Sequence, residues 1–196
     1  EASGFWAWFS VQHLFRGAAI FGGAAACLMG TGILAGEVDR GTMGLLLSRP
    51  LSRTKVLLTR WGIAALALLV PILLVSVLAQ QVAPLVDESL DLSLALRASL
   101  YAWLFPLAAL SVTCALSSFF SRYLKAGIVV LGFLLVQFAI YLVPELWNVS
   151  LFNWVDLDVF LPFQQGVYPI EIMKTLLGIC SLSLLIAGIR FRTRDF

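Results

Sequence analysis

The sequence predicts an all-α fold: a polytopic membrane helical bundle with five visible spans and a cytoplasmic coupling helix. Three observations carry that expectation. Of 196 residues, 61% are hydrophobic and only 12% are charged, whereas a soluble domain is about a quarter charged. One core of this size cannot hide so much apolar surface, so lipid must solvate much of it. The few charges bound long uncharged runs, and their signs alternate from one loop to the next. Net charge is only +2, which points to the bilayer as partner and not to nucleic acid.

The runs set the elements in order. Twenty uncharged residues separate Arg16 from Glu37, 26 separate Arg60 from Asp87, 24 separate Arg97 from Arg122, and 19 separate Lys125 from Glu145. Fifteen lie between Lys174 and Arg190, and the run reaches back to Ile170 if Glu171 sits at the headgroups. About 20 helical residues cross a ~30 Å core. The expected spans are therefore 17–36, 61–86, 98–121, 126–144 and 170–189, in a single transmembrane domain over 1–196. Barrel strands are excluded, because their signature is alternation and not continuous apolar runs.

Loop charges then orient the bundle. The 36–60 loop, the 122–125 turn and the tail after 189 hold ten of thirteen basic residues. The opposite loops hold eight of eleven acids. The positive-inside bias makes the basic side cytoplasmic, with the C-terminus inside and the protein integral to the cell membrane. Five spans then start outside, so a sixth, upstream span is expected in the full chain.

Small residues recur at Ala18, Gly22, Ala26 and Gly30. Such a stripe admits another helix closely, either within the chain or in an oligomer. Pro71 and Pro106 fall inside expected spans, where each removes a backbone hydrogen bond. Two aromatic segments, 5–15 and 145–169, suit the membrane–water interface. They are expected as short helices lying on or dipping into the outer surface, read as an aromatic belt, with a substrate gate as the sharper alternative.

Chemical motifs are sparse. No G-x-x-x-x-G-K-[ST] occurs, so the chain lacks a P-loop for ATP. Cys27, Cys114 and Cys180 lie far apart in apolar runs and read as small buried hydrophobes. His13 has no metal-ligand spacing to another residue. It also precedes the first expected span, out of easy reach of Ser76, Ser111 and Ser117. No catalytic, cofactor or metal residue is assigned.

The stretch 37–55 is more than a polar interruption. Glu37 to Arg40 extends the first helix, Gly41 permits a change of direction, and Thr42 can cap a new helix. Met43 to Ser48 would make about two turns before Pro50 discourages helix at Arg49. Ser52 can cap the helix that follows. The result is a short crosswise helix with Leu45, Leu46 and Leu47 on its surface and Arg40, Arg49 and Arg53 around them. Physics alone leaves two readings: a surface loop resting on anionic lipid, or an apolar knob ringed by charge for a protein partner.

The stretch "GEVDRGTMGLLLSRPLSRTKVLLTRW" resembles the cytoplasmic segment of permease subunits in the type-2 ABC exporter family. The match lies in Glu37, Gly41, Thr42, Leu45 to Leu47, Pro50, Ser52 and Arg53. The turn "ALSSFFSRYLKAG" at 115–127 and the tail "RFRTRDF" are similar to later parts of that family. The resemblance implies six spans and a coupling helix seated in a groove of a separate cytoplasmic ABC ATPase subunit. ATP and Mg would be held by that partner and none by this chain, which is not itself an enzyme. It implies contact through Glu37, Arg40, Gly41, Thr42, Met43, Leu45, Leu46, Arg49, Pro50 and Arg53. Leu45, Leu46 and Met43 would fill the groove, while Glu37, Arg40, Arg49 and Arg53 set orientation. Two permease units, identical or not, would work with two ATPases to export a substrate or extract it from the membrane. A secondary transporter or channel, and a non-transporting membrane anchor, are the rival classes.

Overall fold

A computed structural model describes residues 4–33, 52–120, 122 and 124–193. All regular structure among them is helical. The five long elements are α1 (Gly4–Ile33), α2 (Arg53–Val86, its last turn 3₁₀), α3 (Leu92–Ser117), α4 (Lys125–Tyr141) and α5 (Ile170–Thr193). Four of these are long and apolar enough to cross a membrane, and α4 is a shorter apolar helix of 17 residues. At ~1.5 Å per residue α4 is only about 25 Å long. Residues 145–169 complete that corner as a cap of short turns at Trp147–Val149, Leu151–Val155, Leu157–Phe160 and Leu161–Gln165.

Local chemistry sets the helix ends. The Ser52 hydroxyl accepts from the Lys55 amide at 3.3 Å and opens α2. Asp87 adopts a left-handed φ of 56° where α2 ends, a conformation that short polar side chains tolerate. The Asp91 carboxylate accepts from the Ser93 amide at 2.9 Å and opens α3. Gly166, at φ 75°, closes the cap's last turn.

Helix α3 forms the centre, with α1, α2, α4 and α5 arranged around it. It is buried nearly all round, unlike a helix with one apolar stripe. Alanines at 95, 98, 102, 108, 109 and 115 let its neighbours approach. Its buried hydroxyls bond back to the preceding turn, as Ser111 does to Leu107 O at 2.8 Å and Thr113 to Ala109 O at 2.7 Å. Such back-bonding satisfies polar side chains in a medium without water. Two indoles join α2 to α3: Trp61 Nε1 donates to Ser111 Oγ at 3.0 Å, and Trp103 Nε1 donates to Ala65 O at 3.1 Å. All three cysteines are buried and free.

The small-residue stripe packs within the chain. Ala18, Ala26 and Gly30 are buried. A Cβ on Gly30 would lie 2.7 Å from Thr113 Cβ, and one on Gly127 would lie 2.5 Å from Thr31 Cγ2 and 3.0 Å from Cys27 O. Glycine is therefore required where α1 crosses α3 and where α4 crosses α1.

Residues 5–15 depart from expectation. They are not separate surface helices but the first part of α1, which continues without a break to Ile33. Its Ser10–Phe21 portion is π-helical. The aromatics explain the continuity: Trp6 and Phe9 are 1% exposed, and the Trp6 indole donates to Phe160 O at 3.2 Å. Those side chains bury against the cap only if the helix extends to reach it.

Candidate functional site

The end of the bundle bearing the 34–51 segment carries the candidate site. Nine of the expected contact residues, Glu37, Arg40, Gly41, Thr42, Met43, Leu45, Leu46, Arg49 and Pro50, lie outside the described residues. Arg53 lies within them, in the first turn of α2. Its guanidinium donates from Nη1 to Phe191 O at 3.0 Å and to Arg192 O at 3.3 Å. Those carbonyls belong to the last described turn of α5, toward the negative pole of that helix. A cation is favoured there. Each charged bond of this type contributes about 1.5–3 kcal/mol when shielded and less at a part-exposed position.

Three further arginines reinforce the junction. Arg192 returns the contact, donating from Nε and Nη2 to Thr54 Oγ1 at 3.1 and 3.0 Å. Arg60 Nη1 lies 3.4 Å from Ile33 O, the last described carbonyl of α1. The guanidinium of Arg190 sits 5.4 Å from the centre of the Phe119 ring, within cation–π range. The last described carbonyl of α1 is thus tied to α2, and the first residue of α2, Arg53, is tied to α5.

The opposite end is built differently. Phe152, Val155, Phe160 and Phe163 of the cap are buried. Phe152 meets Phe15, Phe105, Phe138 and Tyr141 with ring centres 5.2–6.4 Å apart. Polar bonds fix the register: Ser150 Oγ to Gln137 O at 2.7 Å, Gln137 Oε1 from the Leu151 amide at 3.0 Å, and Tyr141 OH to Asp156 Oδ1 at 2.8 Å. Phe152, Phe160 and Phe163 therefore point into the bundle and close its end, while Trp147, Trp154 and Tyr168 are only half-buried.

Sequence reasoning missed one polar cluster. His13 was placed out of reach of the span serines. The extension of α1 instead brings its Nε2 to 2.9 Å from Ile72 O and 3.3 Å from Ser76 Oγ, and Ser76 Oγ is 2.6 Å from Ser99 Oγ. The cluster ties α1, α2 and α3 together beside Pro71. No carboxylate contacts His13 among the described residues, and the serine–imidazole pair lacks the third, orienting group of a nucleophilic site. A histidine within one helix length of several membrane serines was the available signal; the assumed break before residue 17 concealed it.

The family model described as ABC-2 family transporter protein matches residues 9–154. That is well over half of the chain and includes α1 to α4, the 34–51 segment and part of the cap. The chain belongs to the ABC-2 transporter family. It is a polytopic, integral membrane permease component of an ABC transporter, as the resemblance of the 36–61 stretch implies. No match was found among curated proteins or solved structures.

Proposed function

We propose that the chain is the transmembrane permease subunit of an ATP-driven exporter, powered by separate cytoplasmic ABC ATPase subunits through the 37–53 segment. One observation supports this most: both flanks of that segment are fastened to the bundle, Ile33 through Arg60 and Arg53 through Phe191 and Arg192. A knob on a slack loop would move without moving the helices. Here the segment's partner would push on α1, α2 and α5 together.

Helix α1 gives the push a route. It is continuous from Ile33 to Gly4, and its far end holds the cap through the Trp6–Phe160 bond and the Phe15–Phe152 ring contact. ATP-driven closure of two ATPases would tilt α1 about its tight crossing with α3 at Gly30 and loosen the cap. Met43, Leu45 and Leu46 would fill the ATPase groove, with Glu37, Arg40, Gly41, Thr42, Arg49, Pro50 and Arg53 shaping and orienting the knob. A second permease unit would complete the path, and substrate would move outward or leave the membrane on the capped side. The basic end faces the cytoplasm in this reading, C-terminus included. ATP and Mg stay on the partner.

The test is reconstitution with the cognate ATPase in proteoliposomes. Leu46→Asp should leave insertion intact and abolish both ATPase binding and its stimulation. Wild-type turnover in that variant would refute the docking role. Transport without any ATPase would favour the secondary-carrier class, and an assembly with no substrate-dependent hydrolysis would favour an anchor.

A further inference from the structure

Three basic residues fall on the otherwise acidic, capped end: Arg16, Arg97 and Lys174. Two of them have local partners. Lys174 pairs with Glu171 at 2.8 Å, and Arg16 donates to Gln12 Oε1 at 3.2 Å. Arg97 is different. It lies in the second turn of α3, close to the positive pole of that helix. Among the described residues it forms no ion pair, and its hydrogen bond goes to the neutral phenol of Tyr168 at 3.1 Å. The neighbouring carboxylate of Asp91 accepts from the Ser93 amide and attracts Arg97 through space, but forms no ion pair with it. The positive pole of α3 disfavours a cation here, and the acidic residues of this end attract it through space without pairing with it among the described residues.

Arg97 also stands at the mouth of an open groove of about 500 Å³ between α3 and α5, under the edge of the cap. The walls are almost wholly hydrocarbon and aromatic: Leu100, Trp103 and Leu104 from α3, Met173 and Leu177 from α5, and Tyr168. Leu100 is 45% exposed, so the groove is open to the bilayer. Its walls run inward from the capped end, from position 97 to 104 on α3 and from 170 to 177 on α5. That is about 10 Å of depth at ~1.5 Å per residue. The cation marks the shallow end, and the hydrocarbon runs away from it along the helices.

The geometry points to a binding site for one anionic phospholipid from the leaflet at the capped end. The lipid phosphate would take charge-assisted bonds from Arg97, and Tyr168 would keep the guanidinium at the rim. One acyl chain would lie along Leu100, Trp103 and Leu177. A zwitterionic lipid has the same tails but brings a choline cation beside Arg97. A soluble phosphate has the anion without the tail. The groove needs both parts, which selects the anionic lipid. The site uses the membrane bundle alone and does not depend on coupling to an ATPase.

Native mass spectrometry of the purified, delipidated chain tests this, with phosphatidylglycerol, phosphatidylcholine and glycerol phosphate as probes. The first phosphatidylglycerol should bind at least tenfold more tightly than phosphatidylcholine. Arg97→Ala and Arg97→Gln should each remove that preference, while Arg97→Lys keeps part of it. Leu100→Trp should fill the groove and weaken both lipids several-fold. Thermal unfolding of the same samples identifies any variant that fails to fold, and the remaining substitutions then carry the test. Equal affinity for the two lipids in the wild type would overturn the site. So would a preference that survives loss of the Arg97 cation, or glycerol phosphate binding as tightly as the lipid. None of these readouts involves ATP hydrolysis, so failure here leaves the permease reading standing.

Discussion

Around Ile33 of α1, helices are joined by guanidinium groups on main-chain carbonyls; around Trp6 of α1, they are joined by buried rings of the cap. Arg53, Arg60 and Arg192 make directional bonds at positions partly open to solvent. Phe152, Phe160 and Phe163 are 0–3% exposed and held by contact area. A guanidinium fork can release one carbonyl and take the next, since its donors are arranged in a planar fork. An aromatic cluster must separate as a unit, because close packing leaves no intermediate arrangement. In the proposed cycle the first end would be the one that moves, and the second would stay closed until it yields as a unit.

Several substitutions would break or sharpen that contrast. The largest loss of stability should come from the cap. Phe160→Ala removes a fully buried ring that meets Tyr101 and Phe163, and should cost about 3–5 kcal/mol, read as lowered thermal unfolding in detergent. A shift of under 1 kcal/mol would mean that the cap is not a packed closure. Between the two ends, Gly127→Leu should cost about 1–3 kcal/mol by overpacking against Thr31 and Cys27. An unchanged melting temperature there would show that the α1–α4 crossing can relax, and α1 would lose its rigid support.

Smaller effects should follow at the polar contacts. His13→Ala leaves Ser76 and Ser99 bonded to each other, so its cost should be about 1 kcal/mol. Hydrogen exchange should quicken in the π-helical part of α1, and equal exchange in the variant would argue that the cluster is incidental. Arg53→Ala should cost least in stability, below about 1 kcal/mol at a part-exposed site, yet it should sever most of the ATPase stimulation. Full stimulation with Arg53 removed would assign the junction to stability alone. The contrast between small destabilisation with lost coupling at Arg53, and large destabilisation at Phe160, is the signature expected of a movable end and a closed one.

Much of this arrangement is legible in the sequence for a simple reason: lipid permits few solutions. Uncharged runs near Gly23, Leu68, Leu107 and Ile179 could be little other than helices, because backbone groups in hydrocarbon must bond within their own segment. Ser52 as a cap followed from the Pro50-to-Arg53 punctuation, and α2 opens there. The beginning of α1 was not legible. A charge at Arg16 looked like a membrane boundary, whereas the helix runs twelve residues further toward the N-terminus, with the Arg16 side chain directed to Gln12 one turn away. No periodicity in "FWAWFSVQHLF" distinguishes rings that lie on a surface from rings that bury against a cap, as Trp6 does 154 residues away.

The sequence by itself determined the medium, the helical class and the place of the 37–53 segment between two long helices. These depend on composition and on the cost of charge in hydrocarbon, which are properties of single residues and their near neighbours. The 9–154 family match agrees with the resemblance carried by that segment. Only the tertiary structure decided that the Ala18–Gly30 stripe serves α3 and α4 within one chain, that His13 meets Ser76, and that Arg53 closes the end of α5. Each of those is a contact between residues 63 to 138 positions apart, or between helix faces whose rotation no local rule sets. Which faces meet is chosen by the fit of Gly30 to Thr113 and of Gly127 to Thr31, and such fit exists only once the helices are together.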